Sequence, residues 1–127
     1  MTKKVVTATP IRWQSEPQEH DYPAAVSYLS LIYDEETAAQ LEKKLHLAPM
    51  TAFKAKDIFR ASRLSLLGVS NSHVEKDRKQ ILAGNKLSPL LLVRDTNNGT
   101  VVIADGYHRL CAVYTFNEDA LIPCKIV

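Results

Sequence analysis

The chain has 127 residues, 46% of them hydrophobic, which is enough for one domain whose core folds without disulfides or a structural metal. The 16 Lys and Arg against 14 Asp and Glu leave a formal charge of +2, too small an excess to point by itself to nucleic acid or an anionic membrane. Cys111 and Cys124 form no CxxC pair, and no stretch is apolar enough for a signal peptide or a membrane span, so a secreted disulfide scaffold and a membrane partner are argued against. The expectation is a soluble, cytoplasmic protein.

Residues 1–20 are polar, carry Pro10 and Pro17, and show no sustained periodicity; they read as an arm that packs through Trp13. Pro23 can open a helix over residues 23–33 that buries Val26, Leu29 and Ile32. Asp34 is the natural N-cap of a second helix over residues 35–46, with Ala38, Leu41 and Leu45 inward. Together they form a helical hairpin within an extension spanning residues 21–50. After Pro49 the segment Met50, Thr51, Ala52, Phe53 is short and extended. Residues 56–63 follow as one or two helical turns with Ile58 and Phe59 inward, and residues 64–69 as an irregular packed connection.

Ser72-His73-Val74-Glu75 matches a capping box with Ser72 as the cap; the helix it opens turns Val74, Ile81 and Leu82 inward and stops at Gly84. Leu90-Leu91-Leu92-Val93 reads as a strand buried on both faces, and Asn97-Asn98-Gly99 turns it into a second strand over residues 100–104. Asp105 is placed to cap the next helix, which buries Leu110, Val113 and Tyr114 and frays near Asn117. A last strand covers residues 121–127. The whole is a single α+β domain without internal repeats.

The chemically richest segment is Asp105-Gly106-Tyr107-His108-Arg109, where strand gives way to helix. A helix start offers unpaired N–H groups and partial positive charge, Gly106 permits close approach, and the planar donor fork of Arg109 suits a phosphate or carboxylate. His108 and Arg109 oppose the helix dipole where they stand, and a bound anion would compensate that cost. The plain alternative is a tight turn with surface residues. The four histidines show no metal-ligand spacing, and no P-loop or nucleophile elbow is present.

In element order and in the residues Ala-Asp-Gly-Tyr-His-Arg, the segment 54–127 resembles the ParB/sulfiredoxin-like fold, which is shared by sulfiredoxins, the N-terminal domains of ParB partition proteins and a group of free-serine kinases. It is nearest in motif to the kinase-type members, whose corresponding run is Asp-Gly-His-His-Arg. The resemblance implies that Gly106, Tyr107, His108 and Arg109 hold the phosphates of ATP, ADP or CTP, with Mg²⁺ bridging them where phosphoryl transfer or nucleotide hydrolysis occurs. It also implies that His73 and Lys76, on the preceding helix, line the same cleft.

Departures from the pattern bound the chemistry. Tyr107 stands where sulfiredoxins carry their catalytic cysteine, and a phenol of ordinary pKa does not attack as a thiolate does, so sulfinic-acid reduction is excluded. Residues 67–72 hold no acid where the serine kinases have a catalytic glutamate. Asp105 is then the candidate general base or magnesium contact. The chain stops at Val127, short of the helix-turn-helix and dimerising segments of ParB, so a full partition protein is not expected.

Two other readings compete. Lys54, Lys56, Arg60 and Arg63 could form a nucleic-acid-binding stripe, making the chain a DNA-associated regulatory, partition or nuclease accessory module. Alternatively, the helical hairpin could dock a protein partner in a non-catalytic interaction domain.

Overall fold

The computed structural model describes residues 10–68 and 70–127; the portion of the N-terminal arm before residue 10 lies outside the described residues. Its centre is a mixed four-stranded sheet in the order β2-β6-β4-β5. The strands are β2 (Thr51–Lys54), β4 (Leu90–Asp95), β5 (Thr100–Asp105) and β6 (Leu121–Ile126). β4 and β5 form the expected antiparallel hairpin, β2 and β6 are antiparallel, and β4 runs parallel to β6. A separate parallel pair joins β1 (Arg12–Trp13) to β3 (Lys86–Leu87), and Trp13 packs against the core as expected.

The apolar run of β4 divides its side chains by the period of a strand. Leu90 and Leu92 join one core cluster with residues of α3 (Ala55–Ser62), α4 (Ser72–Leu82) and α5 (Tyr107–Phe116). Leu91 and Val93 join another with α1 (Asp21–Leu29) and α2 (Glu35–Leu47). The sheet is therefore covered on both faces, and the helical hairpin is one of its covers. Tyr22, Ala25 and Leu29 on α1 and Ala38 and Leu45 on α2 recur at helical spacing and are buried on this side.

Local boundaries differ from the sequence reading for identifiable reasons. Helix α1 begins at Asp21 rather than Pro23 and ends at Leu29, where Ser30 Oγ donates to Val26 O and the backbone turns. Ile32 then falls in that turn and is 46% exposed instead of buried. Asp34 caps α2 as expected, its Oδ1 accepting the Thr37 N–H at 2.7 Å. The cap of α4 is Asn71, not Ser72: Asn71 Oδ1 accepts from His73 N at 3.0 Å and Val74 N at 3.2 Å, so Ser72 becomes the first helical residue. Glu75 is turned to Arg78 rather than closing a capping box. Val74 and Ile81 point inward, whereas Leu82, in the final helical position, is 61% exposed. In α5, Leu110 and Val113 are buried as expected, and Tyr114 is only half-buried.

Two buried polar contacts fasten the N-terminal half to the sheet. Ser88 Oγ donates to the carboxylate of Asp21, which also accepts the Gln18 N–H at 3.1 Å. Lys125 is buried, and its Nζ donates to His46 O in the last turn of α2 at 2.9 Å, where a cation complements the helix dipole.

Candidate functional site

Strand β5 ends at Asp105 and α5 begins at Tyr107, with Gly106 between them at φ 110°. Leu110 N–H donates to Gly106 O at 2.9 Å and closes the first helical turn. A Cβ on Gly106 would meet Leu90 Cγ at 2.6 Å and Arg109 Nη2 at 2.9 Å, so the backbone and these two side chains occupy the space that any other residue would need. Asp105 does not cap the helix, because Gly106 occupies the cap position without a side-chain bond. The Asp105 carboxylate instead accepts Arg109 Nη2 at 2.9 Å, one helical turn on. Arg109 Nη2 also reaches Pro89 O at 3.4 Å, while its Nε is buried without a partner. Asp105 thus orients the guanidinium.

Helix α4 opens alongside α5. The second residue of each helix is a histidine, and the His73 and His108 rings lie 4.9 Å apart between centroids. Around them is a polar cavity of about 170 Å³ lined by His73, Lys76, Asp77, Asp105, Gly106, Tyr107, His108 and Arg109. Every residue expected in the phosphate cleft is brought into this one lining. Asp77 was missed by the sequence reading, although it lies four residues after His73 and one after Lys76, the spacing that puts all three on one helical face.

Charges in the lining are balanced. Lys76 and Arg109 lie near the carboxyls of Asp77 and Asp105, two cations against two carboxyls. Burial pushes both carboxyls above their ordinary values, and the neighbouring cations, Arg109 foremost, only partly offset this. Burial also lowers the pKa of His108, helped by His73 and Arg109, while Asp77 opposes the shift. The surroundings of His108 thus favour its neutral form.

Tyr107 is tied down rather than presented for chemistry. Its hydroxyl donates to Ser65 O, and burial together with the adjacent Cys111 raises the phenol above its usual range. Burial raises the Cys111 thiol and pushes Cys124 up to about 11, so both behave as core side chains. Among the described residues no group of three His, Cys, Asp or Glu side chains is placed to hold a metal ion.

The basic residues of α3 and its approach are elsewhere. None of Lys54, Lys56, Arg60 and Arg63 lines the polar cavity. Lys56 Nζ pairs with Asp119 at 2.7 Å and Arg60 with Asp57 at 3.8 Å. Arg63 ends α3 in the left-handed conformation and donates to Gly99 O at 3.4 Å. Only Lys54, exposed at the end of β2, is without such a contact among the described residues.

Fold and cavity together define a small α+β domain with a polar pocket where two helices open beside a strand end. Compared with protein-family models, curated proteins and solved structures, the chain matches none of them. Among the described residues no helix is long and apolar enough to cross a membrane.

Proposed function

We propose that this domain binds the phosphate groups of a nucleotide in the polar cavity between the first turns of α4 and α5. The observation that carries the reading is the convergence of Lys76, Arg109, His73 and His108 on one small cavity at the openings of two helices. The resemblance of Gly106-Tyr107-His108-Arg109 to the phosphate-binding run of ParB/sulfiredoxin-like proteins supports the same class of ligand. In this reading the amides after Gly106 and the Arg109 fork contact phosphate oxygens, Asp105 holds that fork in place, and Lys76 supplies a point charge from α4.

The two carboxyls divide in role. Asp105 is engaged by Arg109, whereas Asp77 makes no ion pair among the described residues, and burial raises its pKa, the direction that makes a carboxylate a better proton acceptor. If phosphoryl transfer or nucleotide hydrolysis accompanies binding, Asp77 is the better-placed base and Asp105 a positioning residue. Mg²⁺, where it takes part, would be held chiefly by the phosphates, the usual arrangement for an ion that keeps most of its waters.

Calorimetric titration with ATP, ADP and CTP, with and without Mg²⁺, tests the reading. Lys76 is exposed, so Lys76→Ala leaves the fold intact and is expected to weaken binding about 10-fold, the worth of one charge-assisted contact. Absence of binding to all three nucleotides, or an affinity unchanged in both Lys76→Ala and His108→Ala, refutes it.

A further inference from the structure

Directly beside the polar cavity lies a larger one of about 470 Å³, lined by Ala24, Tyr28, Leu64, Ile103 and Ala104 together with Asp105, Gly106, Tyr107 and His108. The last four residues line both cavities, so the two share a wall at the start of α5. Their chemistry differs. The small cavity gathers ionisable groups, whereas the larger runs along the outer strand β5 at Ile103 and Ala104, whose side chains turn to opposite faces of the sheet, and has a rim of large apolar groups left in the open. Tyr28 is 43% exposed and Leu64 is 41% exposed. Volume and lining fit the general form of a small-molecule site, apolar with a few polar groups at one end.

We infer that this larger cavity is the nucleobase subsite of the same ligand, with Tyr28 as its aromatic platform; the inference rests on the phosphate reading of the adjoining pocket. A flat heterocycle linked through a sugar to phosphates needs an apolar, partly aromatic slot within a few ångströms of the anion site, and the shared wall at Gly106 and Tyr107 supplies that continuity. Base-on-aromatic stacking tolerates any base, because every base has a π face. The consequence for the fold is specific. Tyr28 and Ala24 lie on α1, so the N-terminal helical hairpin contributes directly to the ligand site as well as covering the sheet.

The test compares inorganic triphosphate with ATP and CTP by calorimetry on the full chain, in the wild type, Tyr28→Ala and Tyr28→Phe, with circular dichroism as the check of fold. The expected result is that wild type binds ATP and CTP more tightly than triphosphate. Tyr28→Ala should lose roughly 5- to 100-fold in nucleotide affinity, Tyr28→Phe should stay near wild type, and triphosphate should bind all three proteins alike. Nucleotides binding no tighter than triphosphate, or Tyr28→Ala leaving nucleotide affinity unchanged, overturns the base subsite while sparing the phosphate pocket. A protein that binds neither triphosphate nor nucleotide overturns both.

Discussion

Replacing Gly106 by alanine probes the junction on which the site is built. Two costs add. An L-residue at φ 110° is strained, and leaving the right-handed region costs about 1–2 kcal/mol. The new methyl would also sit 2.6 Å from Leu90 Cγ and 2.9 Å from Arg109 Nη2. Arg109 can swing away only by giving up Asp105, and Leu90 is fully buried on β4, so relief requires shifting α5 off the sheet. Overpacking of this kind costs about 1–3 kcal/mol, which brings the total to about 2–5 kcal/mol. For a chain of this length about 1 kcal/mol corresponds to about 4 °C in Tm, so a fall of about 8–20 °C is expected. Gly84→Ala is the control: its φ is 78°, but nothing lies within 4 Å of the added Cβ, so it bears the backbone cost alone. Thermal unfolding followed by circular dichroism measures both variants. Equal melting temperatures for Gly106→Ala and Gly84→Ala would show that the close packing of Leu90 and Arg109 against this glycine carries no energetic weight.

Asn71→Ala should lower stability by about 1 kcal/mol through loss of the α4 cap, while Ser72→Ala should change it by a few tenths at most; the reverse ranking in denaturant titrations would restore Ser72 as the cap. Phosphate affinity should rise as pH falls from about 8 to about 6, because binding raises a His108 pKa that burial, His73 and Arg109 hold down in the free protein, so a proton is taken up with the anion. His73, Lys76 and Asp77 face His108 from α4, Asp105 from β5 and Arg109 from its own helix; a pH slope identical in His108→Gln would refute its part in the effect. In the empty protein the same lowered pKa has the opposite sense. The unfolded chain protonates first as pH falls through the ordinary histidine range, so His108→Gln should lessen the loss of stability between about pH 7 and 5 seen in chemical denaturation.

The strands and the strand-to-helix junction at Gly106 were legible in the sequence because their signals are local. Four consecutive apolar residues at Leu90 to Val93 admit few readings other than a strand covered on both sides, and Asp105-Gly106 marks an abrupt change of backbone direction. Cap identities were less legible. Ser72 and Asn71 both suit an N-cap, and the choice depends on which backbone carbonyl takes the first helical bond, a matter of dihedral angles set by the preceding loop. Asp105 was misjudged as a cap for a related reason. Its side chain has two competing donors within a helical turn, and a guanidinium that would otherwise be buried beside an unpaired carboxylate outcompetes an amide that the solvent-facing first turn can satisfy by other means.

Least legible was the role of the helical hairpin, because it depends on contacts between residues far apart in the chain. Amphipathic helices over residues 21–47 are compatible with a detachable docking element and with a cover for the sheet; only the partition of β4 into two clusters distinguishes them. Leu91, Val93 and Ala104 are buried against α1 and α2, so deleting residues 1–50 would open one whole face of the sheet to water. Each fully buried leucine or valine exposed in this way costs about 1.5–3 kcal/mol, and with the helices' own contribution removed the sum exceeds the margin by which a domain of this size is stable. The truncated chain should therefore lose its cooperative thermal transition and aggregate. A soluble remainder that melts cooperatively would place the sheet's stability entirely on the side of α3, α4 and α5, and would return the hairpin to the status of an independent docking element.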